Sequence, residues 1–386
     1  METLKYNLSI LQDKAKERTV KTQSIEYDIE TLIKKLDRNI IKLDPEYQRR
    51  HRWDNKTSSK LIESLILNIP IPTVYISQDI DVDSETEDDE FRYSVIDGQQ
   101  RLTAIKNFLK NLYPLEGLET LSELNGCFYK DLPPFLTRRL EERSIKCLRI
   151  DSTLDAQVKL DIFERLNSGS VKLEAQELRN AVYGGRFNNL LKDLSKNINF
   201  RKLLQINNET PKDNNKVKKM EDVEITLRFF ALTNNRYAQF KKSKDRGFSN
   251  FLDDTMSEFN NLDVQALNAL KVDFENTMEY IVLNYGGEIF SKYKTEEDNE
   301  DEFHGAKSKL LLQSKFNIAV FDAFAIGIHD ALQEGVDIRD KKRALLDLFF
   351  DKEFYNSVSG SYLDTNKLKY RIEATKKVLG CRGVLL

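Results

Sequence analysis

The apolar positions change period several times along the chain, and each change marks a predicted element. Residues 24 to 37 set Ile25, Ile29, Leu32, Ile33 and Leu36 three or four apart, the spacing of an amphipathic helix. The stretch "IIKLDPEYQRRHRWDN" breaks that pattern with Pro45 and a polar, aromatic loop. A second helix is predicted from about residue 56 to 67, closed by "NIPIP", and "TVYISQ" then reads as a strand. Residues 79 to 90 carry eight acidic side chains in twelve and read as an exposed hairpin connection to a second strand, "FRYSVID". From Leu102 onward Leu102, Ile105, Phe108 and Leu109 return to helical spacing, so the stretch "YSVIDGQQRLTAIKNFLK" predicts strand, tight turn, helix.

A further strand is predicted at residues 144 to 150, "SIKCLRI". The helix "TLDAQVKLDIFERLN" turns Ala156, Leu160, Phe163 and Leu166 to one side and ends at Gly169; "LEAQELRNAVYGG" is a further helix stopped by paired glycines. Beyond about residue 175 the period stays helical through "VEITLRFFAL", "FENTMEYIVLNYG", "SKFNIAVFDAFAIGIHDAL" and "LKYRIEATKKVLG", with polar breaks at 205 to 218 and 293 to 306. No internal repeat or heptad run is present. The pattern predicts an α+β fold in which "FRYSVI" pairs with "TVYIS" in a small mixed sheet at residues 1–190, followed by a mainly helical domain at 191–386.

Composition narrows the classes. Of 386 residues, 40% are hydrophobic, with 22 phenylalanines and 15 tyrosines to fill a core, against 32% charged. A net charge of −3 gives no overall field to steer nucleic acid, so a DNA partner needs a local basic patch. The three cysteines, at 127, 147 and 381, follow no metal or disulfide spacing. The first residues mix acidic and basic side chains where a signal peptide needs an apolar run, and no run has the length of a bilayer span, so a cytoplasmic protein without a membrane partner is expected. The three histidines, at 51, 304 and 329, are too scattered for a zinc site or a histidine-centred nuclease motif.

The polar cluster at residues 97–101 sits where a helix should begin. Free backbone donors and the positive end of the helix dipole suit a phosphate there, while Asp97 can bind a hydrated cation and Arg101 can pair with an anionic oxygen. The plainer alternative has Asp97 capping the helix, Gly98 relaxing the turn, and Gln99, Gln100 and Arg101 solvated. In the loop at 44–54, Arg49, Arg50 and Arg52 with Tyr47, Gln48 and Trp53 can clamp phosphates, stack a base and read a polar edge. Alternatively Tyr47 and Trp53 anchor the loop and the arginines pair with Asp44, Glu46 and Asp54. At "FERLNSGSVKLEAQELRN", Arg165 can neutralise charge in a shared pocket, Asn167 can satisfy turn groups, and the Ser168, Gly169 and Ser170 amides can meet an anion; Glu177 can equally just bind Arg165 or Arg179. There is no Walker loop, paired-cysteine site or HExxH.

"DPEYQRRHRW", "LIESLILNIPIPTVYI", "VIDGQQRLTAI" and "IFERLNSGSVKLEAQELRNAVYG" resemble, in order and spacing, the successive motifs of the ParB/sulfiredoxin-like family catalogued as domain of unknown function 262. That is the family of the N-terminal half of GmrSD-type modification-dependent restriction systems. The resemblance covers about residues 20 to 190, and the helical remainder resembles the extension of long family members. It implies a nucleotide-binding domain in which Asp97, Gly98, Gln99, Gln100 and Arg101 serve nucleoside triphosphate binding and hydrolysis with Mg, Asp97 being the metal ligand. By the same likeness Arg49, Arg52, Arg165 and Asn167 contribute to the nucleotide pocket, and Tyr47, Gln48, Arg49 and Arg50 lie near DNA. DNA-cutting members carry a further HNH-type nuclease domain, whereas here the 57 residues after His329 hold no histidine, so cleavage by this chain alone is not expected.

Three functions follow for comparison. The first is a nucleoside-triphosphate-dependent sensor or regulatory subunit of a phage-defence or DNA-processing system, hydrolysing its nucleotide slowly. The second is a DNA- or protein-binding module without turnover, and the third a metal-dependent DNA nuclease acting with a partner. The partners in view are DNA, modified in its backbone or bases, a separately encoded nuclease or ATPase, and a second copy of the chain.

Overall fold

The computed structural model describes residues 21–43, 53–78, 93–150, 174–240, 247–296, 309–360 and 364–382, with positions 158, 159, 162 and 165 between. The chain divides into two compact units, Met1–Leu173 and Glu174–Leu386.

The first unit is built on a five-stranded mixed sheet of order β1-β5-β3-β4-β2, from β1 (Thr22–Asp28), β2 (Ile41–Lys42), β3 (Val74–Gln78), β4 (Tyr93–Asp97) and β5 (Ser144–Ile150). The expected pairing of β3 with β4 is present and antiparallel, with Ser77 opposite Ser94 and Ile76 opposite Val95. β5 lies parallel to β3 and antiparallel to β1. The helices α1 (Ile29–Asp37), α2 (Asn55–Ile66), α3 (Gln99–Leu109) and α4 (Pro134–Glu141) supply the apolar stripes that cover the sheet. Leu32 and Leu36 of α1, Ile62 and Leu65 of α2, and Leu102, Ile105 and Phe108 of α3 meet Val74, Ile76, Val95, Ile145 and Cys147 of the sheet in one core.

The first helix begins later than its apolar spacing predicts. Residues 22–28 extend along β5, and Asp28 stops the strand by capping α1, its Oδ1 accepting from Thr31 N at 2.6 Å. Asp54 caps α2 in the same way, accepting from Thr57 N at 2.7 Å. The acidic connection at 79–90 lies outside the described residues, although the two strands it joins are antiparallel neighbours. Of the helix expected at 153–167, positions 158, 159, 162 and 165 are described and helical.

The second unit is mainly helical: α5 (Ala175–Val182), α6 (Arg186–Leu194), α7 (Ile198–Leu203), α8 (Asn215–Lys218), α9 (Glu221–Leu232), α10 (Phe248–Asn260), α11 (Val264–Tyr285), α12 (Ile318–Gln333), α13 (Lys342–Asp347), α14 (Lys352–Ser357) and α15 (Thr365–Leu379). The phenylalanines form its core, Phe229 packing on Phe230 and Phe274 with ring centroids 5.3 and 5.1 Å away. The polar break expected at 293–306 is flanked by a hairpin instead: β6 (Lys292–Glu296) pairs antiparallel with β7 (Lys309–Ser314). Among the described residues no helix is long and apolar enough to cross a membrane.

Candidate functional site

The turn at residues 97–101 is fixed by one glycine and one irregular strand pairing. Between β4 and α3 stands Gly98 alone, at φ +101, where an added Cβ would lie 2.9 Å from Val74 Cγ2 and 3.3 Å from Arg101 Nη2. Both the backbone conformation and the space therefore require glycine. Just before it, Ile76 faces Val95 but Tyr75 faces Asp97, so Ile96 is an extra residue and the strand carries a β-bulge. The bulge sets Asp97 level with Tyr75 at the strand end, a typical device for re-aiming a side chain.

Arg101 is only 8% exposed. Its Nη2 donates to Asp97 Oδ2 at 2.9 Å and to the Thr73 carbonyl at 3.4 Å, and its Nη1 donates to the carbonyls of Pro72 and Thr73. Burial draws the guanidinium below its ordinary value, and the Asp97 carboxylate opposes that shift. Asp97 itself keeps 46% of its side chain exposed, and its Oδ1 accepts no hydrogen bond among the described residues. Gln99 is half-buried and donates from Nε2 to the Val95 carbonyl at 3.0 Å, while Gln100 is buried.

The reading of Asp97 as a helix cap does not hold. The N-cap of α3 is Gly98, with no side-chain hydrogen bond to the first turn. Asp97 differs from Asp28 and Asp54 because an arginine four residues on claims its carboxylate. The solvated role imagined for Gln100 and Arg101 also fails, since both are buried. Solvent thus reaches Asp97 and Gln99 at the mouth of the turn, beside the glycine that caps α3.

The remaining predicted site residues divide sharply. Tyr47, Gln48, Arg49, Arg50, Arg52 and Asn167 lie outside the described residues, and Arg165 occupies an exposed helical position. Glu177, read as a partner for Arg165 or Arg179, closes a capping box by accepting from Glu174 N at 2.7 Å. Sequence reasoning missed the Pro72 and Thr73 carbonyls as anchors of the turn. Their signal was "NIPIPT", where two prolines lack the amide hydrogens a regular ladder needs.

Residues 29–184 match the family model described as "GmrSD restriction endonuclease, N-terminal domain". This segment is similar to a GmrSD-type N-terminal domain. No curated protein and no solved structure matches the chain. The GmrSD-type segment contains α1, every strand from β2 to β5, the Gly98 turn and helix α5.

Beyond the GmrSD-type segment, the helical unit buries several charges that sequence reasoning left unassigned. Asp322 accepts from Arg228 Nε at 3.0 Å and from Arg371 Nη2 at 2.6 Å, all three side chains being fully buried. His329, also fully buried, lies between Asp273 Oδ2 at 2.7 Å and Asp330 Oδ1 at 2.9 Å. Burial alone lowers its pKa, but the two carboxylates prevail and push it up to about 9. Among the described residues no group of three or more His, Cys, Asp or Glu side chains is arranged to hold a metal ion.

Proposed function

We propose that this chain is a nucleotide-responsive subunit of a DNA restriction system, holding a nucleoside triphosphate at the start of α3 with Mg²⁺ at Asp97. The observation that carries the reading is the mouth of the turn: a half-exposed carboxylate, anchored through one oxygen, beside a helix start without a side-chain cap. Helix N-termini of this kind receive phosphate because their amides point outward and the dipole favours negative charge. The match of residues 29–184 to a restriction endonuclease domain supports the restriction role, with DNA as the substrate that role implies.

Asp97 fits a magnesium ion in chemistry. The ion prefers hard oxygen ligands and retains several waters, binding through one or two carboxylates and the substrate phosphates rather than a protein cage. When bound, it would neutralise phosphate charge during hydrolysis. The chain's own part is to aim Asp97 at the ion and the positive end of the α3 dipole at the phosphate oxygens. The loop carrying Tyr47, Gln48, Arg49, Arg50 and Arg52 would add the positive charge that DNA or a triphosphate needs, with Arg165 and Asn167 from the later motif.

A second reading, binding without rapid turnover, is favoured by the commitment of Arg101 to protein carbonyls and Asp97. That guanidinium is not free to stabilise charge developing on a transferred phosphoryl group. The two readings separate in one series. Binding of ATP, GTP and CTP is measured with and without Mg²⁺, and phosphate release is followed for the nucleotide that binds. Magnesium-enhanced binding that Asp97→Asn reduces about tenfold, the worth of a charged contact, supports the site. Binding indifferent to both magnesium and Asp97→Asn would overturn it, and magnesium-enhanced binding without phosphate release selects the second reading.

A further inference from the structure

We infer that Arg101 is a positioning residue, which aims Asp97 and holds the entry of β3 in place without touching the nucleotide. The inference rests on the proposed nucleotide site, and it concerns how that site is built. An arginine beside a suspected phosphate site is ordinarily read as a phosphate ligand, because its planar fork suits an anion. Here both terminal nitrogens already donate to protein oxygens.

Three segments converge on the guanidinium. From the segment before β3 come the carbonyls of Pro72 and Thr73; from the end of β4 comes Asp97 Oδ2; and Arg101 itself projects from the first turn of α3. The carbonyls of Pro72 and Thr73 precede the strand, so the ladder of β3 does not begin until Val74. Pro72 is exposed and Thr73 half-buried, and Arg101 donates to both of these carbonyls ahead of the ladder. A phosphate could take either terminal nitrogen only in exchange for those carbonyls or for Asp97, giving up bonds that a charged donor makes.

The geometry of Asp97 follows from this arrangement. Arg101 fixes Oδ2 at 2.9 Å while Oδ1 accepts no hydrogen bond among the described residues, so one oxygen orients the carboxylate and the other remains for a ligand. Gly98 belongs to the same device: a Cβ there would come within 3.3 Å of Arg101 Nη2 and 2.9 Å of Val74 Cγ2, displacing the fork from its seat. Arg101 therefore influences a ligand through Asp97, not by contact.

The test uses the full chain with Arg101→Lys, Asp97→Asn and the double variant, each first shown to fold by circular dichroism. Without ligand, Arg101→Lys keeps the charge but loses the fork, and amide exchange across Val74–Gln78 should quicken about tenfold or more, the worth of hydrogen bonds to a charged group. Asp97→Asn, which leaves the bonds to Pro72 and Thr73, should leave that exchange within about threefold of the parent, the scale of a minor local perturbation. With ATP, GTP or CTP and Mg²⁺, both single variants should weaken magnesium-dependent binding by about tenfold, and the double variant should be no weaker than Asp97→Asn. A purely structural arginine would lower the thermal midpoint without changing magnesium dependence. Additive losses in the double variant, or unchanged exchange in Arg101→Lys, would overturn the inference. If the parent chain binds none of the three nucleotides, the nucleotide reading fails, and the exchange comparison still decides whether Arg101 holds the β3 entry.

Discussion

At Gly98 one hydrogen atom in place of a methyl group decides whether β4 can pass into α3. The left-handed φ of +101 and the 2.9 Å approach of Val74 Cγ2 act in the same direction, so Gly98→Ala should cost about 1–3 kcal/mol, the range for a residue held in a disfavoured backbone region. Chemical denaturation followed through Trp53, the only tryptophan and packed on the first unit's core, measures that loss locally. A stability unchanged by Gly98→Ala would mean that the turn relaxes to another conformation. The strand, turn and helix around this residue were legible in the sequence because short apolar runs and glycine report local geometry. The partners of Asp97 and Arg101 were not. An acid before a helix ordinarily caps it, as Asp28 and Asp54 do, and only the distant Pro72 and Thr73 carbonyls draw Arg101 inward to take Asp97 with it.

At the scale of elements, legibility failed where a local period concealed a long-range pairing. Ile25 and Ile29 are four apart and continue the stripe of α1, yet Ile25 belongs to a strand whose register opposite Cys147 is set by β5, more than a hundred residues later. β6 was read as the edge of a polar break because Lys292, Lys294 and Glu296 dominate it, although Tyr293 and Thr295 alternate with them as a strand requires. Helices held by continuous apolar stripes, such as α12 and α15, were legible throughout. What the stripe cannot reveal is how closely two helices approach. Gly327 of α12 would bring a Cβ within 2.5 Å of Thr375 Cγ2 on α15, both positions being buried. Gly327→Ala should therefore lose about 1–3 kcal/mol to overpacking, with at most about 1 kcal/mol returned by better helix propensity. Adding Thr375→Ser removes the offending methyl yet keeps the hydroxyl bond to the Arg371 carbonyl at 2.8 Å, so the pair should recover most of the loss. Thermal melts of the single and double variants check this, and a double variant as unstable as Gly327→Ala would show that the backbone, not Thr375, meets the new methyl.

Across the whole molecule, the shift from mixed periods to sustained helical spacing foretold an α+β first part and a helical second part. The charges buried in that second part gave no comparable signal. His329 stands among apolar residues in "FAIGIHDAL", and its partner Asp273 is 56 positions away, so no local pattern joins them. The pairing makes stability depend on pH in a direction that can be worked out. The folded pKa of about 9 lies above the ordinary 6.5, because Asp273 and Asp330 outweigh the burial that would otherwise lower it. Folding thus binds a proton more tightly than the unfolded chain does. The contribution, roughly 3 kcal/mol at 1.36 kcal/mol per unit, is complete below about pH 6.5, declines as pH rises, and is lost above about pH 9. Asp330 also receives Lys376 Nζ at 3.1 Å and the Asn234 amide at 3.0 Å, so it stays partnered when the imidazole becomes neutral. Asp273 retains Gln333 Nε2 at 2.5 Å. Unfolding followed by far-ultraviolet circular dichroism, to which the helices contribute most, should show stability falling between pH 6.5 and 9. In His329→Gln the protein should be less stable at pH 6.5 and should lose most of that dependence, since no proton remains to be released from the site. Parent and variant curves running parallel across this range would show that His329 is already neutral in the folded chain.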